Sequence, residues 1–273
     1  MRAPRLHPFG VVGLLLAANA LGAFANGAPA GWETAAPRDE IRPEFRYEPR
    51  GGPDRKGSFI IESDRREGLM GRWMKTFPVK GGEFYKFSAL RKVSNMSEPR
   101  RGAVIRILWQ DDNGKAVNHD EPSYASYSPG STPRAEPEYP SDHATNARGW
   151  TEVSDVYHAP SKATRAVVEM EFRWAPRAKV EWAEVALNET AAPAPRKVRM
   201  AAVHFVPRNT KTPEERRQAF VPQIEEAAKQ KADIVVLPEV LTYGSGSTYA
   251  SVAEPMPGPS TEFFGALAKK HNL

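Results

Sequence analysis

From Trp32 to about Thr190, apolar and polar residues alternate in short runs. The clearest run is Val167 to Trp174, where Val168, Met170, Phe172 and Trp174 alternate with Glu169, Glu171 and Arg173. A period of two, with one apolar and one charged face, predicts an antiparallel strand with one side in a core and the other wet. On this pattern Trp174 belongs to the core. Trp73 to Val79, Glu83 to Leu90, Val104 to Gln110 and Val180 to Leu187 read as further strands. Turn signals at Gly81-Gly82, Asn113-Gly114 and Ala159-Pro160 separate them. Many short strands without a helical period predict a β-sandwich.

The pattern changes after Thr190-Ala-Ala-Pro-Ala-Pro-Arg196, whose alternating Ala and Pro suit an extended spacer. Val198 to Phe205 predicts a strand, and Pro207 to Lys211 a turn. Thr212-Pro213-Glu214-Glu215 places a capping hydroxyl, a Pro at the first helical position and a Glu three after the cap. Phe220, Ile224, Ala227 and Ala228 then recur at helical spacing, while Pro222 predicts a kink or a late start. Ile234 to Leu237 is continuously apolar, which suits a strand buried on both faces. Pro238 cannot donate to a ladder and ends it. Strand, helix and strand make a βαβ unit with a parallel sheet. A Gly/Ser-rich loop, Thr242 to Thr248, leads towards a helix from Thr261 to about Lys270.

Glu239 stands at the carboxyl end of the second strand, where open α/β sheets place ligands. Partial desolvation there would raise its pKa into the range of a general base. From the strand context alone, a solvated loop Glu is an equal reading. The order of pieces narrows the choice. Met200-Ala-Ala-Val-His, a Glu- and Ala-rich helix, Ala232-Asp-Ile-Val-Val-Leu-Pro-Glu239, and Pro257-Gly-Pro-Ser260 before Leu267-Ala-Lys-Lys together resemble the opening of the nitrilase, or carbon–nitrogen hydrolase, superfamily. The resemblance spans Lys197 to Leu273. It implies an αββα sandwich and a Glu-Lys-Cys catalytic set, with Glu239 matching the catalytic Glu. It also implies hydrolysis of a small amide or nitrile through a Cys thioester, and a homo-oligomer built through the complete domain. No cofactor is implied.

The remaining members of that set have no match. The chain contains no Cys, and Lys269 and Lys270 fall in a helix rather than at a strand end. The expectation is therefore an incomplete α/β domain, truncated before its Lys and Cys and inactive as it stands. The β-rich part has a looser resemblance: Trp109-Gln-Asp-Asp-Asn-Gly114, Gly149-Trp150-Thr151 and Ala159-Pro160 are similar to jelly-roll modules of the galactose-binding type. Carbohydrate is thus the second candidate partner. Glu121 to Gly149, irregular and carrying Tyr124, Tyr127 and Tyr139, is the candidate binding segment. The tryptophans at 73, 109, 150, 174 and 182 read as packing residues.

Composition trims the alternatives. The 273 residues carry 38 basic and 33 acidic side chains, interleaved, so a net charge of +5 without a basic tract gives no footprint for nucleic acid. Asp111-Asp112-Asn113-Gly114 lacks the spacing and distal Glu of a calcium loop and reads as a hairpin turn. His119, His143 and His158 lack ligand spacing, so no metal is assigned. Arg2 and Arg5, the apolar run from Phe9 to Leu21, and Ala23-Phe24-Ala25 make a signal peptide, residues 1–25. That run is too short for a stable membrane anchor. The expected order is signal peptide, β-sandwich over 26–189, linker over 190–196 and hydrolase-like domain over 197–273, in an exported, periplasmic or extracellular protein. Two readings stay open: a carbon–nitrogen hydrolase, or a non-catalytic binding sandwich with a degenerate hydrolase remnant.

Overall fold

Alternation does most of the architectural work in the first two hundred residues. A computed structural model of the chain describes residues 27–123 and 129–273. The expected signal peptide, and Tyr124 and Tyr127, lie outside the described residues. The strands are β1 (Trp32–Ala35), β2 (Glu44–Glu48), β3 (Ser58–Glu62), β4 (Met70–Pro78), β5 (Phe84–Ser94), β6 (Ala103–Gln110), β7 (Ser141–Thr145), β8 (Thr151–His158), β9 (Arg165–Arg173) and β10 (Lys179–Thr190). A short helix, α1 (Pro99–Gly102), precedes β6. One sheet has the order β1-β4-β9-β6 and the other β2-β3-β10-β5-β8-β7, with antiparallel pairing throughout. From β3 to β6, and again from β8 to β10, successive strands alternate between the sheets. Glu138 extends the smaller sheet by bridging Ile107. This is jelly-roll connectivity.

The inner faces meet in one apolar core. Trp73, Ile105, Ile107, Trp109, Val168, Met170 and Phe172 come from one sheet, and Phe59, Ile61, Phe87, Val153, Val180 and Trp182 from the other. Trp73 Nε1 crosses between the layers to donate to the Ile60 carbonyl at 3.1 Å, and its ring lies 5.2 Å from that of Phe59. Arg91, on the inner face of β5, is 4% exposed. Its guanidinium donates to the Ala103 carbonyl at 3.1 Å and to Asp142 Oδ2 at 2.5 Å, which satisfies a charge that burial would otherwise penalise.

Two expectations for β9 need correction. Its charged face is not wet: Glu169 and Glu171 are 5% and 1% exposed. Arg106 Nη2 lies 2.5 Å from Glu169 Oε2 and 3.1 Å from Glu171 Oε1, and Arg173 pairs with Glu171 Oε2. Arg72 Nε sits 2.9 Å from Glu169 Oε1, but that N–H forms no aligned hydrogen bond. The long guanidinium side chains fold over the carboxylates and exclude water from a face that the alternation assigns to solvent. Trp174 is the second correction. The strand stops at Arg173, the backbone turns through φ 54° at Trp174, and the indole is 64% exposed. The approaching Ala-Pro turn ends the alternation one residue before the tryptophan.

Other differences are of extent. β1, β2, β3, β7 and β8 are short or irregular in pattern and were not legible as strands. Glu121 to Gly149 is not wholly irregular, since it contains β7. Asp111 to Lys115 does form a tight turn, with Gly114 N–H donating to the Asp111 carbonyl at 3.0 Å.

The chain divides into two compact units between Pro193 and Ala194. The second contains β11 (Met200–Ala202), α2 (Pro213–Gln218), α3 (Val221–Lys229), β12 (Ile234–Val236), α4 (Tyr249–Val252) and α5 (Pro259–His271). The break between α2 and α3 falls just before Pro222, which occupies the first turn of α3 and so loses no intrahelical hydrogen bond. β11 and β12 pair in parallel, but each is three residues long, shorter than the apolar runs that contain them. Ile234 and Val236 are each 45% exposed, which corrects the expectation of a strand buried on both faces. A two-stranded sheet has no neighbouring strands, and the helices cover only part of it. Replacing Trp73 with Ala should lower unfolding free energy in urea by about 3–5 kcal/mol. A cost below about 1 kcal/mol would place Trp73 outside the core.

Candidate functional site

The parallel register sets where Glu239 stands. Met200, Ala201 and Ala202 pair with Ile234, Val235 and Val236, and Val203 N–H donates to the Val236 carbonyl at 2.9 Å. Before the strands, Arg199 N–H donates to Asp233 Oδ2 at 2.7 Å and Asp233 N–H donates back to the Arg199 carbonyl at 2.8 Å. The Arg199 guanidinium also donates to the Gln230 and Lys231 carbonyls, at 3.1 and 3.0 Å, at the carboxyl end of α3. One residue thus fixes the sheet and the helix end that feeds it.

Beyond the strands, Pro238 ends the ladder, and Glu239 sits in the turn that follows, exposed. This corrects the expectation of a desolvated carboxylate: the residues flanking it on β12 are themselves half open, so nothing here withdraws it from water. Among the described residues Glu239 makes no hydrogen bond or ion pair. Its neighbour Val240 has φ 48°, a costly conformation for a β-branched residue, and the Val240 carbonyl accepts from Tyr243 N–H at 2.8 Å. The tight turn holds Glu239 at the strand's carboxyl end.

Three residues not singled out from the sequence support the surrounding loops. Arg216 on α2 donates from Nη1 to Thr210 Oγ1 at 3.0 Å and from Nε to the Leu241 carbonyl at 3.3 Å. It therefore ties together the loops that leave β11 and β12. Arg217 pairs with Glu254 at 2.8 Å, and Glu254 accepts from Ser260 N–H at 2.7 Å and Ser260 Oγ at 3.0 Å. That carboxylate does the capping of α5 that Gly258 at the N-cap cannot do. Gly258 is required for a different reason: a Cβ there would lie 2.3 Å from the Pro255 carbonyl oxygen. A helix start lacking a capping side chain, with a Glu six residues before Ser260, was the available signal.

Two of the cavities in this unit have well-defined linings. One of about 660 Å³ runs along β11 and α3, and one of about 230 Å³ is lined by Ile234, Val235, Leu237, Phe264 and Leu267. Neither includes Glu239. Among the described residues no group of His, Asp and Glu is arranged to hold a metal.

In the sandwich, the expected binding segment contributes Tyr139, 54% exposed, and Glu138, whose pKa is raised by burial although Trp109 Nε1 donates to it at 3.3 Å. The nearby Tyr157 hydroxyl is buried without a hydrogen-bond partner among the described residues, and its pKa is raised by the same cause.

Residues 176–273 match the family model described as carbon–nitrogen hydrolase. The match begins within the turn before β10, whereas the structural division falls after that strand, so the α/β unit holds most of it. No curated protein matches the chain. Solved structures that align with part of the chain include a tailspike protein of Bacteriophage CBA120, at TM-score 0.43 and 13% identity, covering 59% of this chain and 20% of that one. A family 22 carbohydrate binding module of Clostridium thermocellum aligns at TM-score 0.38 and 12% identity, over 60% of this chain and 89% of the module. A xylan-binding domain of Paenibacillus barcinonensis gives 0.36 and 13%, over 60% and 88%.

Replacing Asp233 with Ala should speed amide hydrogen exchange at Arg199 and Val203 by about tenfold or more. Unchanged exchange would show that the strand register does not depend on this carboxylate.

Proposed function

We propose that this chain contributes the general base of an exported carbon–nitrogen hydrolase, with Glu239 in that role. The observation that carries the reading is the placement of Glu239 immediately beyond Pro238 at the carboxyl end of a parallel strand, within the segment that matches the family model. In the chemistry that the family resemblance implies, a thiol loses its proton to Glu239 and the thiolate attacks the carbon of the C–N bond. A cation stabilises the developing oxyanion. Glu239 returns the proton to the leaving amine, and water then releases the acid from the thioester. Since the 273 residues include no Cys, the thiol in this proposal comes from outside them. Glu239 is exposed here, so this reading requires that further residues withdraw it from water before it can act as a base.

A second reading has its own support. The sandwich is a complete jelly roll with its own core, and it leaves Trp174 and Tyr139 in water. In that reading the sandwich binds carbohydrate and the α/β unit is not catalytic. The readings separate in an ammonia-release assay on small amides and nitriles. The hydrolase reading expects activity from the protein isolated from its source, loss of that activity on treatment with iodoacetamide, and none from the 273 residues alone. Glu239-dependent ammonia release by the 273 residues alone would overturn the thiol mechanism. Activity that survives alkylation would do so as well.

A further inference from the structure

We propose that the sandwich binds an uncharged glycan at the end of β9, with Trp174 as the platform on which a pyranose ring stacks. The inference rests on the reading of the sandwich as a carbohydrate-binding module, and it assigns the site. Trp174 combines two unfavourable features: a left-handed backbone at φ 54° and an indole 64% exposed to water. Its backbone N–H donates to the Leu69 carbonyl at 2.8 Å, which fixes the backbone from which the ring projects. Neither feature improves packing within the chain. Both suit a surface that presents an aromatic face.

The indole lines an open groove of about 720 Å³ together with Asn95, Ser97, Glu98 and Arg101. That volume lies within the range of about 300–1,000 Å³ typical of small-molecule sites. Asn95, also left-handed at φ 56°, spends its amide N–H on the Arg177 carbonyl at 3.0 Å, which fixes the side chain beside the groove. Gly102 and Met96 also line it, and a Cβ on Gly102 would lie 2.8 Å from Met96 Sδ. Of the charged groups in the lining, Arg173 is already paired with Glu171. Glu98 and Arg101 make no ion pair among the described residues. The groove therefore offers one acceptor carboxylate, one free guanidinium, a hydroxyl and an aromatic plane, beside Arg173 of the cluster in which three arginines meet two carboxylates. A sugar ring presents the complement, C–H groups on its face and hydroxyls that donate and accept around its edge. The unpaired Glu98 carboxylate in the lining works against a phosphate or a polyanion.

The test is affinity electrophoresis of the full chain in gels containing xylan, β-1,4-galactan, β-glucan or mannan, with polygalacturonate as the charged arm. At least one neutral polymer should retard the parent. Trp174→Ala should weaken that retardation by at least about tenfold, and Trp174→Tyr should retain most of it. Thermal melting of each variant checks folding, and the double variant Glu98→Gln, Arg101→Ala tests the polar rim independently of the indole. Undiminished binding in Trp174→Ala overturns the site while leaving the binding-module reading intact. Retardation by polygalacturonate alone overturns the uncharged ligand. A parent that no polymer retards overturns both the site and the reading on which it rests.

Discussion

The reciprocal pair of hydrogen bonds between Arg199 and Asp233 is the constraint on which the hydrolase-like unit depends. With three residues in each strand, β11 and β12 have little ladder of their own to set their register. The exchange at Arg199 and Asp233, one bond to the carboxylate and one to the carbonyl, sets it before the ladder begins, reinforced by the guanidinium on the end of α3. Everything beyond follows from that alignment. The Val236 carbonyl accepts from Val203 N–H, Pro238 ends the pairing, and Glu239 follows it in the turn. Arg216 then holds the two departing loops to one helix.

The sandwich solves a different problem. Its small sheet buries two carboxylates on the side away from the apolar core, and three arginines cover them. Such a cluster adds little net stability, because desolvation offsets most of the attraction. Its consequence is geometric: β9 is fixed on both faces up to Arg173. The chain must leave the sheet abruptly after a strand so constrained. Trp174 stands at that exit, turned outward on a backbone that the preceding ladder does not allow to relax.

The chain's two halves were legible in the sequence to different degrees, for physical reasons. Alternation over Val168, Met170 and Phe172 records a one-sided core, and the strand is there. The same alternation could not show that Glu169 and Glu171 are buried, because their partners Arg72 and Arg106 come from strands remote in sequence. Nor could it place Trp174, since period two continues by one letter past the last paired residue. In the α/β unit, Pro222 marked the break between helices because a missing N–H acts locally. The run Ile234 to Leu237 told less, since burial depends on what packs against a strand. Glu239 could be picked out by its position after Pro238, but its exposure could not, because desolvation comes from neighbours rather than from the run itself. The Arg217–Glu254–Ser260 support was hidden by its separation along the chain.

The account stands or falls on the carboxylate of Glu239. The most direct measurement is the rate of ammonia release by the native protein, compared with the same protein carrying Glu239→Gln, an isosteric change that removes the proposed base and keeps the shape. The account predicts a loss of about 100- to 10,000-fold in kcat, with folding unchanged. A variant that matches the parent in kcat would contradict it.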